Sequence, residues 1–252
     1  MNIKTVILPL LLTLGSFSQA QQTDSYYIFD GNWNAIKNIN RAKFLIHTAK
    51  VNDTCWQWEY YNFKGPLIKI ESYRDADGKV PNGFFAYYNN AGYLDSCGYV
   101  VNQRKDRLWT YFQGDSGKVY LTQTFVYGKL VKSEDYRTKR EPKEEIVDNT
   151  LSKVEVESEF PGGAKAWQSY LTKNLNYPQR AVDLKIDGTV WILFIVDTEG
   201  KITEPVVAKS AEFSMDQESL RMIRNSPLWT PAFQNGRKVK SYKKQPLVFR
   251  FE

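Results

Sequence analysis

The pattern of apolar and polar positions divides this chain of 252 residues into two halves. Between residues 54 and 136, short runs rich in Tyr and Trp alternate with turns rich in Gly, Asn and Asp, which is typical of β-hairpins. After residue 160, apolar residues also recur at helical spacing. The sequence therefore predicts an all-β first half and a mixed α+β second half.

The longest apolar run of the second half covers residues 188–196 and predicts its central strand. Alternate residues of this run point to opposite faces of a sheet, and both sets are apolar. Such a strand is expected to be covered on both sides. The turn signal from Asp197 to Gly200 predicts a hairpin partner that starts at Lys201.

Helices and a last strand are predicted around this hairpin. Trp167, Tyr170, Leu171 and Leu175 recur at i, i+3, i+4 and i+8, which predicts a helix. Pro178 is suited to the first turn of a second helical segment. Ser214 and Gln217 form a capping-box pattern for a further helix. Alternating apolar residues predict a last strand from Gln245 to Glu252.

A sequence repeat organises the first half. The form aromatic-x-Tyr-aromatic occurs three times, at residues 58–61, 85–88 and 109–112, and each copy is followed by a Gly-containing turn and a second strand. This unit resembles the MORN-like repeats of bacterial exported proteins, which implies stacked hairpins. The aromatic side chains are expected to pack against one another between hairpins, and a surface for sugars or proteins is the alternative.

The N-terminus predicts export. Lys4, an apolar stretch and the small residues before Gln21 are typical of a secretory signal at residues 1–20, with an uncleaved membrane anchor as the alternative. The mature protein is therefore expected in the periplasm, with membrane association left open. The predicted organisation is a signal at 1–20, a repeat domain at 24–136, a charged linker at 137–155 and a second domain at 156–252.

Charge and candidate chemistry argue against several classes of function. The formal net charge is +6, but basic and acidic residues are interleaved, so we expect no nucleic-acid binding. Cys55 and Cys97 either form a disulfide in the oxidising periplasm or remain buried thiols. His47 is the single histidine, and no nucleophile, phosphate-binding or metal-ligand motif accompanies it. We expect no catalytic residues, no metal and no cofactor.

The second half resembles the C-terminal domain of TonB, the energy transducer of Gram-negative bacteria, in the form common among Bacteroidetes-type proteins. The resemblance depends on several short motifs in a fixed order. They are Glu159-Phe160-Pro161-Gly162-Gly163, Tyr177-Pro178 with Arg180-Ala181, Ile186-x-Gly188-x-Val190, Asp197-x-x-Gly200-x-Ile202, and Trp229-x-Pro231-Ala232 with Asn235-Gly236.

This resemblance implies a three-stranded antiparallel sheet backed by two helices, and a function. In the family, the last strand accepts an extended segment of an outer-membrane TonB-dependent transporter as an added strand. In this chain the implied peptide-binding residues are Gln245, Pro246, Leu247, Val248, Phe249, Arg250 and Phe251. The same strand could simply complete a small core, and the two roles are compatible.

Two features depart from the family. A full-length transducer has a membrane-spanning N-terminal helix and a long Pro-rich spacer, whereas this chain has a signal-like segment and repeats. The leading interpretation is therefore a periplasmic protein that binds a transporter or a related envelope protein. The alternatives are an envelope scaffold that works mainly through its repeats and an anchored transducer. Engagement of an inner-membrane motor complex and homodimerisation through the edge strand stay open.

Overall fold

The strands of the first half pair almost entirely in chain order and form one antiparallel sheet of ten strands. A computed structural model describes residues 24–137, 146–147, 150–151 and 154–251. The predicted signal, most of the predicted linker and Glu252 lie outside the described residues. The ten strands are β1 (Ser25–Phe29), β2 (Ala35–Ile36), β3 (Phe44–Asn52), β4 (Cys55–Asn62), β5 (Leu67–Tyr73), β6 (Gly83–Tyr88), β7 (Leu94–Val101), β8 (Arg104–Gln113), β9 (Lys118–Val126) and β10 (Lys129–Asp135).

The repeats are joined edge to edge, which corrects the prediction of stacked hairpins. The three motif hairpins are β4–β5, β6–β7 and β8–β9, and β5 also pairs with β6 while β7 pairs with β8. An isolated hairpin leaves unpaired N–H and C=O groups on both edges. Pairing between neighbouring hairpins satisfies these groups, so the repeats become one continuous sheet.

The three aromatic motifs also share one local geometry. In each motif the pairing register shifts between the third and fourth residues, namely between Tyr60 and Tyr61, Tyr87 and Tyr88, and Tyr111 and Phe112. An extra residue at such a bulge increases the local twist of the strand. The sequence repeat is therefore a structural repeat with a bulge at a constant place.

Alternation along each motif sends its residues to opposite faces of the sheet. The fourth residues, Tyr61, Tyr88 and Phe112, are buried in a core that includes residues of the second half. The first residues Phe85 and Trp109 belong to a separate cluster on the other face. On that outer face the aromatic rings pack against one another, as predicted, whereas the fourth-position rings pack on the second half.

In the second half, β13 lies between β14 and β17 and is antiparallel to both, as predicted. Two short strands, β11 and β12, extend this three-stranded unit beyond β17. The elements are β11 (Ile146–Val147), β12 (Thr150–Leu151), α1 (Gly163–Asn174), α2 (Gln179–Asp183), β13 (Gly188–Val196), β14 (Ile202–Lys209), α3 (Phe213–Arg224), β15 (Ala232–Gln234), β16 (Arg237–Val239) and β17 (Ser241–Phe249).

The two apolar faces of β13 have different covers. Val190, Ile192, Phe194 and Val196 are almost fully buried in the core that contains Met215 and Ile223 of α3. On the opposite face, Leu193 and Ile195 line a space against the ten-stranded sheet. The second cover that the sequence requires is therefore supplied by the first half of the chain.

Hydrogen bonds join the two halves where β14 ends. The backbone N–H of Ser210 donates to the carbonyl of Gly92 at 2.8 Å. The N–H of Leu67 donates to Ser210 Oγ at 2.8 Å, and the Tyr88 hydroxyl donates to the Val207 carbonyl at 2.9 Å. Gly92 has φ +82°, and a Cβ at this position would lie 2.5 Å from Ser210 O. The close approach of the two halves therefore requires glycine there.

The start of α3 also joins the halves, and it corrects the predicted capping box. The cap is Glu212, whose fully buried carboxylate accepts from Ser214 N at 2.8 Å and from Arg180 Nε at 2.5 Å. Arg180 also donates to the carbonyl of Phe63 in the first half. Gln217 Nε2, freed from the cap, donates to a carboxylate on β4. An ion pair within the second half, Arg180 with Glu212, has replaced the local motif, and hydrogen bonds from Arg180 and Gln217 connect it to the first half.

Candidate peptide-binding edge

β17 carries most of the predicted peptide-binding residues and lies directly beside the central strand. It pairs with β13 in unbroken register, from Gly188 opposite Phe249 to Val196 opposite Ser241. The strand begins at Ser241, earlier than the predicted start at Gln245, and ends at Phe249. Arg250 and Phe251 therefore follow the strand and are not part of it.

Pro246 determines which backbone groups of β17 face outwards. It pairs with Trp191 without a break in register, although proline has no N–H to donate. In an antiparallel ladder, alternate residues direct both backbone groups to the same neighbour. The nitrogen of Pro246 must therefore face away from β13, and so must the N–H and C=O groups of Lys244 and Val248. Around Pro246, the outer edge therefore presents the N–H and C=O groups of Lys244 and of Val248, together with the carbonyl of Pro246 itself.

The outer side of β17 has one described neighbour, β12. The two strands touch at a single parallel pair, Leu151 and Ser241. From Lys243 onwards, no strand in the described ranges pairs with this side of β17. Unpaired N–H and C=O groups in a row are a template for an added strand.

Side chains on the two faces of β17 have different roles. Leu247 and Phe249 are 0% and 1% exposed and complete the core beneath the helices, whereas Val248 is 45% exposed on the other face. Lys244 Nζ lies 5.1 Å from the ring centre of Trp191. Burial and the nearby charge of Lys209 lower the pKa of Lys244. The strand is therefore part of the core through its side chains, while its outer backbone is open from Lys243 onwards among the described residues.

The two predicted residues after the strand are on the surface. Arg250 is exposed, and Phe251 is half-exposed with its ring stacked on Tyr177 at 5.0 Å. The Tyr177 hydroxyl donates to the carbonyl of Ile186 at 2.7 Å, which holds the ring in place. Phe251 thus anchors the end of the strand through Tyr177. Because it lies beyond Phe249, it takes no part in the pairing with β13.

Sequence reasoning missed the first half of this strand, which contains Tyr242, Lys243 and Lys244. Five of the eight residues 237–244 are Lys or Arg, and Lys is depleted in strands, so the run resembles a charged loop. The signal present is the pair Val239 and Tyr242 after the Asn235-Gly236 turn, which indicates that a strand starts before Gln245.

Two other sheet edges differ from β17. On β14, Glu204 has φ +52°, the register with β13 shifts beside it, and Pro205 has no N–H. On β10, a bulge between Leu130 and Lys132 combines with charged side chains, which discourages strand addition. Of these three edges, β17 is the one whose register has no bulge.

The two cysteines do not form a bridge in this structure. Cys55 lies on β4 and Cys97 on β7, and both are free thiols. Three strand spacings separate them, which is roughly 14 Å along the sheet. A disulfide needs Cα atoms within about 7 Å, so pairing would require the sheet to rearrange. Burial raises the pKa of the Cys97 thiol to about 12.

Comparison with known protein families identifies the part of the chain that contains this edge. Residues 173–251 match the family described as Gram-negative bacterial TonB protein C-terminal. The matched range runs from the end of α1 to beyond β17 and supports the resemblance found in the sequence. Residues 159–163 precede it, and the resemblance of the repeats to MORN-like units stays a prediction. A comparison with curated proteins finds no match.

Proposed function

We propose that this protein is a non-enzymatic binding protein of the periplasm that accepts an extended segment of an outer-membrane TonB-dependent transporter on β17. It thereby takes part in energy-dependent transport across the outer membrane. The observation that carries the proposal is the outer edge of β17, which from Lys243 onwards pairs with no strand in the described ranges and lies inside the range matched to the TonB C-terminal family. Strand addition needs no catalytic group, only backbone groups that face outwards.

The test is a substitution that changes the outer edge and leaves the inner one intact. Val248→Pro removes an outward N–H while the bonds to β13, made by the neighbouring residues, remain. We expect binding to weaken at least about tenfold, because one hydrogen bond is lost and the ring obstructs the approach. Binding is measured by calorimetry with synthetic peptides copied from plug-domain segments of transporters of the same organism.

Val248→Ala is the matched control, because it shortens the same exposed side chain and keeps the N–H. Its affinity should stay within about twofold of the wild type. Equal binding by Val248→Pro and wild type, with unchanged circular dichroism, would contradict strand addition at this edge. Deletion of residues 245–252 is a poorer test because it removes the buried side chains of Leu247 and Phe249.

The outer face of the ten-stranded sheet supports a second candidate, an envelope scaffold. Aromatic rings of the first and third motif positions lie along this face, and Tyr87 is 37% exposed. Lys69 Nζ lies 4.2 Å from the ring centre of Tyr60, and Lys105 Nζ lies 4.1 Å from that of Trp109. If this face captures the partner, Tyr87→Ala should reduce capture from envelope extract while Val248→Pro leaves it unchanged.

An anchored transducer is the third candidate, and it depends on residues 1–20. In the described ranges, no helix has the length and apolarity needed to cross a bilayer. N-terminal sequencing of the exported protein decides between cleavage and anchoring, because a start at Gln21 excludes the anchor.

A further inference from the structure

A cavity of about 730 Å³ separates the ten-stranded sheet from the outer face of the C-terminal sheet. One wall comes from β13, β14 and Tyr242 of β17, and the opposite wall comes mainly from β7, β8 and β9. The lining is mainly apolar, and its apolar residues include Leu193, Ile195 and Val206 on one side and Leu108, Phe112 and Val119 on the other.

Two contacts between the halves fix the separation of the walls. Outside the lining, Ser210 and Gly92 bring the halves into direct hydrogen-bonded contact. Beside the lining residue Gly117, Lys244 Nζ reaches within 3.1 Å of the Cβ position of that glycine. Each wall is a hydrogen-bonded sheet, so neither can collapse to fill the space. The cavity is preformed, and its volume lies within the range of small-molecule sites, about 300–1,000 Å³.

The lining leaves apolar surface without close-packed neighbours. Leu193, Leu108 and Val119 are only partly buried, although they lie between two halves of the protein. Apolar atoms beside an unfilled space lose the dispersion contacts that a close-packed interior provides. An apolar chain in the cavity would restore these contacts and remove the same surface from water.

The charged residues of the lining are mainly basic. Arg107, Lys118 and Arg137 line the cavity, and Glu204 is the one acidic residue among the lining residues that the structure describes. The Arg107 guanidinium lies 5.3 Å from the ring centre of Tyr99, and its ion pair with the adjacent Asp106 is long, at 3.9 Å. Arg137, by contrast, is held by Asp135 at 2.5 Å. The positive charge of Arg107 is therefore less compensated than that of Arg137.

We propose that this cavity binds one small amphipathic molecule with an apolar chain and an acidic head group. The chain lies between Leu193 and Phe112, and the head group pairs with Arg107. The guanidinium suits a carboxylate or a phosphate because it donates two parallel hydrogen bonds to either. Tyr242 is the residue of β17 among the described lining residues, so the site shares none of residues 245–251 and adds ligand binding to the proposed function.

The test uses the full mature chain with 1-anilinonaphthalene-8-sulfonate, a fluorescent probe with an apolar body and an acidic group. We expect one probe to bind per chain and dodecanoate to displace it. Leu193→Trp, which fills the cavity from one wall, should weaken both ligands at least about tenfold. Arg107→Gln should weaken dodecanoate about tenfold and leave the neutral dodecanol within about twofold.

Arg224→Gln is the matched control, because this exposed arginine at the end of α3 is not among the lining residues. It should leave both affinities unchanged. If Leu193→Trp alters the circular dichroism spectrum, Leu108→Trp fills the cavity from the opposite wall and replaces it. The proposal is overturned if the wild type binds no displaceable probe, if filling the cavity leaves binding unchanged, or if Arg107→Gln weakens acid and alcohol equally.

Discussion

The two sheets of this protein bury their apolar residues in different ways. The ten-stranded sheet places one set of aromatic rings on its outer face and another set against the second half. The C-terminal sheet has a central strand with two apolar faces, and its own helices cover one of them. The second face is covered by the ten-stranded sheet.

This difference explains why the two halves share one core. A sheet whose outer face is lined by aromatic pairs and lysine side chains can face water on that side. A central strand that is apolar on both faces cannot, so it requires a second layer. The range matched to the TonB C-terminal family is therefore built here as one layer of a larger structure.

The largest expected effect on the free energy of unfolding comes from truncating a phenylalanine. Two phenylalanines, one from each core, are compared. Phe194 is 1% exposed and packs edge-on against Trp229 at 5.1 Å, whereas Phe85 lies in the small outer cluster. Phe194→Ala should cost about 4 kcal/mol and Phe85→Ala about 2–3 kcal/mol of unfolding free energy. Urea denaturation measures both. Equal losses would show that the outer cluster is as important as the shared core.

The contact between the sheets is tested by Gly92→Ala. This substitution places a Cβ against Ser210 O at a position with φ +82°. We expect a loss of about 2–3 kcal/mol, because the backbone strain adds to the overlap. Gly114→Ala is the control: φ is +42° there and no atom of the described residues lies within 4 Å of the Cβ position, so only about 1 kcal/mol should be lost. Losses of equal size would contradict a tight contact at Gly92.

A buried histidine near the junction predicts a pH dependence. His47 is 6% exposed; its Nδ1 lies 3.0 Å from Glu59 Oε2, and its Nε2 lies 3.7 Å from Asp24, which is an ion-pair distance but too long for a hydrogen bond. Burial lowers the pKa of His47, but the two carboxylates outweigh it and raise this pKa to about 9. Glu59 also accepts a hydrogen bond from Gln217 of α3, so the pair of His47 and Glu59 links the first half to the second.

The pKa of His47 is higher in the folded protein than in the unfolded chain. The stabilisation from the protonated imidazole is therefore fully present below pH 6.5 and is lost as the pH rises to about 9. We expect a loss of up to about 3 kcal/mol over this interval in the wild type, and a smaller one in His47→Gln. Asp216 contributes with the same sign, because burial raises its pKa as well. The pH dependence of Asp216→Asn is therefore measured in parallel. If the free energy of unfolding of His47→Gln falls with rising pH as steeply as that of the wild type, His47 is not the source of the pH dependence.

The smallest expected effect concerns the cysteines of the ten-stranded sheet. A disulfide between Cys55 and Cys97 would stabilise the protein by about 4 kcal/mol in the chain-entropy view. Since the two thiols lie three strands apart, we expect the same midpoint of urea denaturation with and without reductant, and two titratable thiols after unfolding. A reductant-dependent midpoint would show that the sheet can rearrange to form the bridge.

Several elements were predictable because their signals are local. The apolar run at 188–196, its turn at Asp197 to Gly200 and the hairpin partner follow from alternation and turn chemistry within a few residues. The helix at Trp167 follows from its spacing in the same way. The candidate strand was found for the same reason, but its start was misplaced because lysines obscured the alternation between Ser241 and Lys244.

The sequence by itself determined the identity of most strands and helices, the three-fold motif and the region of the candidate site, because neighbouring residues carry those signals. Only the tertiary structure decided how the hairpins join, that Glu212 rather than Ser214 caps α3, and that a cavity separates the sheets. The bond from Leu67 to Ser210 joins residues 143 positions apart. Contacts over such separations leave no local pattern, so they become visible only when the chain is folded.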